Sequence, residues 1–198
     1  MGCSERALQE ARVTDAELIS RAAKGDQTAF EVLYERHWKA VYSYAWLLAR
    51  SVPIAEDITQ ECFLALLRKP LQFDSARVQL RTWLIAVVRR QYWSRCRRSS
   101  REEAFEDSET PDTTPGVEGE LLQMERAEAV RQALAALPEP QREALYLFEF
   151  EGLSLAETAG ILNIDANAVK ARLHRGRAQL KRLLAPVLGI KIEVKERL

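Results

Sequence analysis

The stretch SLAETAGILNIDANAVKARLHRGRA, residues 154–178, decides how the last third of the chain folds. Ser154-Leu155-Ala156-Glu157 has the form of a capping box, in which the hydroxyl and the carboxylate each satisfy the other residue's amide. A short helix is expected to start there, with Leu155, Ala159 and Leu162 inward. Asn163-Ile164-Asp165 reads as a tight turn, because Asn tolerates left-handed backbone and Asp caps the helix that follows. That helix puts Val169, Leu173, Gly176 and Leu180 on one face. Lys170, Ala171, His174, Arg175, Ala178 and Lys181 point elsewhere, and Arg172 and Arg177 flank the apolar stripe. Two short helices, a turn of this length and a second helix that is basic and free of acid fit a helix-turn-helix. Such a helix can enter the major groove, where Arg and Lys pair with guanine or neutralise phosphates. By pattern alone, a bundle helix with a solvated basic face also fits.

Upstream, Pro138-Glu139-Pro140 opens a helix expected to run through Phe150, where Gly152 closes it. Before that lies a change of character. Residues 102–120 carry Glu102, Glu103, Glu106, Asp107, Glu109, Asp112, Glu118 and Glu120 with no Lys or Arg, together with Pro111, Pro115, Gly116 and Gly119. This composition reads as a flexible acidic linker.

The first half is helical by its periodicity. Thr14-Asp15-Ala16-Glu17 begins a short helix that ends near Lys24-Gly25. Phe30, Leu33, Tyr34, Val41, Tyr44, Ala45 and Leu48 form one stripe of a long helix. Pro53 suits the first turn of the next, with Ile54, Ile58, Cys62, Ala65 and Leu66 inward and Pro70 ending it. Asp57, Gln60, Glu61 and Leu64 share the opposite face, which reads either as solvated or as docked on a partner's helices. Residues 71–80 form a loop. A third long helix is expected from about Arg81 to Arg98, with Trp83, Leu84, Val87 and Val88 on its apolar side. Between Arg81 and Arg101 no acid occurs. Arg81, Arg89, Arg90, Arg95, Arg97, Arg98 and Arg101 interleave with Trp83, Tyr92 and Trp93, a combination that suits unpaired DNA, cations for the backbone and rings for the bases. Trp83 falls on the apolar stripe and reads as core; Tyr92 and Trp93 are less easily hidden. No segment alternates as a strand does. The expected fold is all-α, two small helical domains joined by the linker.

Bulk composition fits this plan. The 198 residues are 47% hydrophobic and 29% charged, and 29 Lys and Arg balance 29 Asp and Glu. The zero net charge averages over segregated blocks, and the segregation is what points to a nucleic-acid partner. No apolar run reaches membrane length and the start lacks a signal-peptide core, so a cytoplasmic location is expected. Cys3, Cys62 and Cys96 suit reduced thiols. The histidines are His37 and His174, and there is no cysteine pair at metal spacing and no nucleophile elbow. No catalytic residue, metal or cofactor is expected.

These pieces, in this order, resemble bacterial RNA polymerase sigma factors of the sigma-70 family, in its extracytoplasmic-function (ECF) group, over about residues 25–185. Ala55-Glu56-Asp57-Ile58-Thr59-Gln60-Glu61-Cys62-Phe63 looks like the family's core-polymerase-binding motif. Arg81-Thr82-Trp83-Leu84 looks like the start of the helix that reads the minus-ten element. Leu137-Pro138, Ser154 to Leu162, and Val169 to Ala178 look like the fourth region, which reads the minus-thirty-five element. The implied division is an N-terminal segment with a short helix at 1–24, sigma region 2 at 25–101, the linker at 102–120, sigma region 4 at 121–185 and a tail at 186–198.

The resemblance implies roles. Asp57, Gln60, Glu61 and Leu64 would bind the clamp helices of the largest polymerase subunit, the polymerase flap being a further contact. The loop from Phe73 to Gln79 would help capture a flipped promoter base. Arg81, Trp83, Arg89, Arg90, Tyr92, Trp93 and Arg97 would serve the minus-ten element and the melted strand. Lys170, Ala171, Arg172, His174, Arg175 and Arg177 would serve the minus-thirty-five element. The linker would thread the polymerase's basic RNA channel, and an anti-sigma factor would hold the protein inactive. The family often has Asn where Arg90 stands and Gly-Thr where Asn167-Ala168 stand, so promoter preference does not carry over. The competing reading is a conventional helix-turn-helix regulator with a helical interaction domain in front.

Overall fold

The computed structural model describes residues 13–102 and 129–188, and among them every regular element is helical. The acidic linker (but for Glu102) and most of the expected C-terminal tail lie outside the described residues. The chain divides into two compact units, the first containing residues 13–102 and the second 129–188.

The first unit is built on local stop and start signals. Helix α1 (Asp15–Ala22) starts where Thr14 Oγ1 accepts the Glu17 amide at 3.3 Å. Gly25, at φ 93°, turns the chain, and Asp26 Oδ1 accepts the Ala29 amide at 3.1 Å to start α2 (Gln27–Ala49). Arg50, left-handed at φ 54°, ends α2. α3 (Val52–Arg68) carries Pro53 in its first turn, where a missing amide costs nothing. A short 3₁₀ turn (Pro70–Gln72) leads through a loop to α4 (Leu80–Glu102).

α2 packs on α1, α3 and α4, and α3 packs on α4. Leu18, Leu33, Tyr44, Ile58, Leu66, Leu84, Ile85 and Val88 are essentially sealed from solvent. Each such aliphatic side chain contributes roughly 1.5–3 kcal/mol by burial. The inner face of α3 is turned from the expected one. Ile54 and Ala65 are half-buried, while Ala55, Thr59 and Phe63 join Ile58, Cys62 and Leu66 inside. α3 touches both α2 and α4, so its buried arc is wider than one stripe. Thr59 is tolerated there because its hydroxyl donates to the Ala55 carbonyl at 2.7 Å. Trp83 is half-buried rather than core, its ring edge-on to Phe73 at 6.0 Å.

In the second unit a helix at 129–135 (α5) leads to α6 (Glu139–Leu145). The expected run through Phe150 is helical, but its last turn, Tyr146–Phe150, is wound wide as a π turn. The Glu151 amide reaches back to the Tyr146 carbonyl at 3.0 Å. Gly152, at φ 68°, then breaks the helix. α7 (Leu155–Leu162) starts with a complete capping box between Ser154 and Glu157. Its inner side is Thr158, Ile161 and Leu162; Leu155 and Ala159 are half-buried. α8 (Ala166–Leu188) continues through Pro186 to three residues past the expected end. Val169, Leu173 and Gly176 of α8 are buried. Gly176 allows close approach to α6: a Cβ there would meet Leu145 Cδ1 at 2.8 Å.

Candidate nucleic-acid and partner interfaces

The α7–α8 turn has the geometry its residues call for. Asn163 is left-handed at φ 54° and ψ 49°, and Asp165 Oδ1 accepts the Ala168 amide at 2.9 Å. With Val169, Leu173 and Gly176 turned inward, Lys170, Ala171, His174 and Arg175 are exposed and Arg172 is half-buried. No acid lies on α8 to offset them. Arg177 is also exposed, but it is held. Its Nε donates to Glu149 Oε1 at 2.8 Å, and its guanidinium lies 5.6 Å from the centroid of Phe148. Both partners come from the π turn. A hollow of about 410 Å³ between that turn and α8 is lined by Phe148, Leu155, Lys170, Leu173, His174 and Arg177, among others.

In the first unit, Asp57, Gln60, Glu61 and Leu64 are all exposed along α3, with Leu64 at 44%. The structure couples this face to the basic helix: Arg95 Nη2 of α4 donates to Asp57 Oδ2 at 3.1 Å. Along α4, Arg81, Arg90 and Arg97 are exposed and Arg89 is half-buried. Tyr92 and Trp93 are half-buried and meet edge to face at 5.3 Å. Cys62 of α3 is sealed from solvent. Its Sγ donates to the Leu84 carbonyl at 3.5 Å, and burial pushes the thiol up to about 12, outweighing nearby Arg90. A thiol so rarely ionised is a poor redox sensor.

The Phe73–Gln79 loop is ordered by Asp74, which accepts the Ala76 amide at 3.0 Å and pairs with Arg77 at 3.1 Å. Beside the loop is a hollow of about 500 Å³ whose wall includes Asp15, His37, Phe73, Ser75, Gln79 and Arg81. Sequence reasoning missed one part of this wall. His37 Nε2 pairs with Asp15 Oδ2 at 2.9 Å, and Arg36 Nη1 pairs with Asp15 Oδ1 at 3.0 Å. The hydrogen bond from His37 is the main cause holding the Asp15 carboxyl below its ordinary value. Among the described residues no group of His, Cys, Asp and Glu is arranged to hold a metal ion, and no helix is long and apolar enough to cross a membrane.

Known proteins share both units. The sigma-70 region 2 family matches residues 33–102, and the sigma-70, region 4 family matches residues 127–180. The ECF RNA polymerase sigma factor SigM of Mycobacterium tuberculosis is 34% identical over 173 residues, 86% of this chain and 85% of that protein. The ECF RNA polymerase sigma factor SigW of Bacillus subtilis is 30% identical over 178 residues, 84% of this chain and 94% of that one. Among solved structures, the sigma factor RpoE of Bartonella quintana, in complex with the anti-sigma factor NepR, matches with a TM-score of 0.66 at 26% identity. That match covers 78% of this chain and 96% of the other. With both regions matched in order and relatives at 30–34% identity over most of its length, the chain belongs to the sigma-70 family of RNA polymerase sigma factors, in its ECF group.

Proposed function

We propose that this protein binds core RNA polymerase and directs promoter recognition and the initiation of transcription, as a specificity factor and not as a catalyst. One observation carries the reading. An exposed polar-acidic face on α3 adjoins the basic, aromatic-bearing α4 in one unit, while a separate unit presents an acid-free basic helix in a helix-turn-helix. A simple regulator needs the second unit and has no use for the first pair of faces side by side.

In this reading Asp57, Gln60, Glu61 and Leu64 dock on the polymerase clamp helices. Arg81, Trp83, Arg89, Arg90, Tyr92, Trp93 and Arg97 serve the minus-ten element and the opened strand, where cations follow the backbone and rings stack on bases. Lys170, Ala171, Arg172, His174 and Arg175 meet the minus-thirty-five element, and Arg177, paired with Glu149, is held in reserve beside them. An anti-sigma factor covers the polymerase-binding surfaces when the protein is idle; the similar sigma factor RpoE of Bartonella quintana is known in complex with an anti-sigma factor, NepR, which supports the expectation of such a partner. The site of action is the bacterial cytoplasm, where polymerase and promoter meet.

The test is reconstitution. Core polymerase with this protein is expected to yield discrete transcripts from promoter DNA. Asp57→Ala, Gln60→Ala and Glu61→Ala together are expected to abolish the complex with core. If the wild-type protein gives no binding to core and no specific transcript, the proposal is refuted.

A further inference from the structure

The outer side of α8 is fixed by its inner one. Val169, Leu173 and Gly176 are buried. Since an α-helix turns about 100° per residue, Ala171, His174 and Ala178 lie opposite them, within about 40° of Asn167 around the axis. All four of these outer residues are exposed, and they form a strip without Lys, Arg, Asp or Glu. Cations flank it on both sides: Lys170 and Lys181 on one, Arg175 and Arg182 on the other, each exposed. Two rows of cations about such a strip suit a helix lying in the major groove, with a phosphate backbone on either side and base edges in front. The rows serve the backbones, and the strip meets the bases. Asn167 is the second residue of α8, at the end where a helix-turn-helix touches base edges.

Local structure gives the Asn167 side chain nothing to do. The start of the helix is served by Asp165, whose Oδ1 accepts the Ala168 amide at 2.9 Å. Among the described residues no hydrogen bond or ion pair engages the Asn167 amide group. Helix first turns favour acids, and α6 and α7 carry Glu139 and Glu157 there, whereas α8 carries none. An acid at this place would repel phosphate, and an amide does not. A side-chain amide sets one acceptor oxygen beside an amino donor. Adenine shows the complement in the major groove, the N7 acceptor beside the N6 amino donor; guanine shows two acceptors.

We propose that Asn167 determines sequence specificity: it reads one adenine of the upstream promoter element through paired hydrogen bonds. Its amino group donates to N7, and its carbonyl oxygen accepts from the N6 amino group. No role carries over to this residue from the resemblance, since the family often has Gly at this place. Being neutral, Asn167 displaces no counterion, so it sets a base preference without setting salt dependence. The inference rests on the DNA-contact role proposed above for α8.

In the experiment, holoenzyme reconstituted from core polymerase and the full chain selects from a pool of random-sequence duplexes, and the bound DNA is sequenced. Affinities for selected duplexes and their single-base variants are then measured at several salt concentrations. With the wild-type protein, one position of the upstream element is expected to be adenine, and replacing it to cost roughly 10- to 100-fold. Asn167→Ala is expected to reduce that preference to about threefold or less, with the other positions and the salt slope unchanged. Asn167→Asp, whose carboxylate only accepts, is expected to exchange adenine for cytosine at the same position. Circular dichroism is expected to show wild-type helicity in both variants; should Asn167→Ala lose helicity, Asn167→Asp decides alone. An adenine preference kept in full by both variants overturns the proposal. So does an equal loss of affinity on every duplex, which would place Asn167 on the backbone. If wild-type holoenzyme selects no upstream element, the DNA-contact role of α8 falls, and the role of Asn167 with it. Selection of an element whose preferences ignore Asn167 overturns the inference alone.

Discussion

Removing one charge from the π turn should change how the second unit senses salt on DNA. Glu149→Gln keeps the side chain's shape and deletes its carboxylate. In the wild-type protein Arg177 Nε donates to Glu149 Oε1 at 2.8 Å, with side chains 53% and 44% exposed. A pair so exposed is worth only about 0.2–1 kcal/mol, so the variant stays folded. On DNA the effect is larger relative to its cause. Each phosphate neutralised by a protein cation steepens the plot of log K against log salt by about 0.9. While Glu149 holds Arg177, that cation counts for little; once released it can meet a phosphate. Glu149→Gln is therefore expected to steepen the slope by about 0.9. Affinity at low salt should rise by up to about fivefold, the equivalent of the lost pairing energy. The assay is binding of reconstituted holoenzyme to duplex carrying the upstream element, at four or more salt concentrations. Arg177→Gln is the control, expected to keep a slope near wild type. An unchanged slope in Glu149→Gln, with a slope shallower by about 0.9 in Arg177→Gln, would refute the reasoning: Arg177 would already leave Glu149 for phosphate in the complex.

Three further outcomes are expected. Gly160→Ala on α7, where an added Cβ meets nothing within 4 Å, should stabilise the second unit by about 1 kcal/mol. Gly176→Ala, where the Cβ meets Leu145 Cδ1 at 2.8 Å, should forfeit that gain to overpacking of about 1–3 kcal/mol. Hydrogen exchange of α8 amides in the full chain measures both, and equal effects would contradict the close α6–α8 approach. Asp57→Asn and Arg95→Gln should couple by no more than about 1 kcal/mol in a double-mutant cycle on stability, because in their 3.1 Å pair the Asp57 side chain is 59% and the Arg95 side chain 40% exposed. The Asp15 carboxyl lies below its ordinary value of 3.8 in the folded protein, so its contribution is present above that pH and is lost as pH falls through the lower folded value. The stability gap between wild type and Asp15→Asn should accordingly narrow in acid, as read by denaturant titration across that range; a gap independent of pH would dismiss the His37–Asp15 pair.

The capping residues were legible because their signals are local. Thr14, Ser154, Asn163 and Asp165 each act within three or four residues, and each adopts the geometry its side chain favours. The exposed faces of α3 and α8 were legible for a related reason, since charge and helical period together define them. Burial was read less well. Stripes drawn through Ile54 and Ala65, or through Leu155 and Ala159, miss because helices touched on two sides bury a broader arc than one stripe. Pairings across the chain were not legible at all. Asp57 with Arg95, Asp15 with His37 and Glu149 with Arg177 lie 38, 22 and 28 residues apart, and a charge does not encode its partner at that separation. Phe30 and Tyr34 were read as part of an inner stripe and are only half-buried, because the same four-residue spacing serves a core edge and an exposed one.

The wide turn at Tyr146–Phe150 is, in effect, one residue too many accommodated inside a helix. An α-helix advances about 100° per residue, so deleting one residue here would let regular bonding resume while rotating everything that follows. The caps of the following helices, Ser154 and Asp165, lie outside the turn and would survive such a change, provided that Leu147, the turn's buried side chain, keeps its place. What would shift is where Ser154 opens α7, and through it the aim of α8. The segment is thus a natural site for length polymorphism: among descendants of this chain, gaining or losing a residue there can re-aim the exposed basic helix without altering any residue on it.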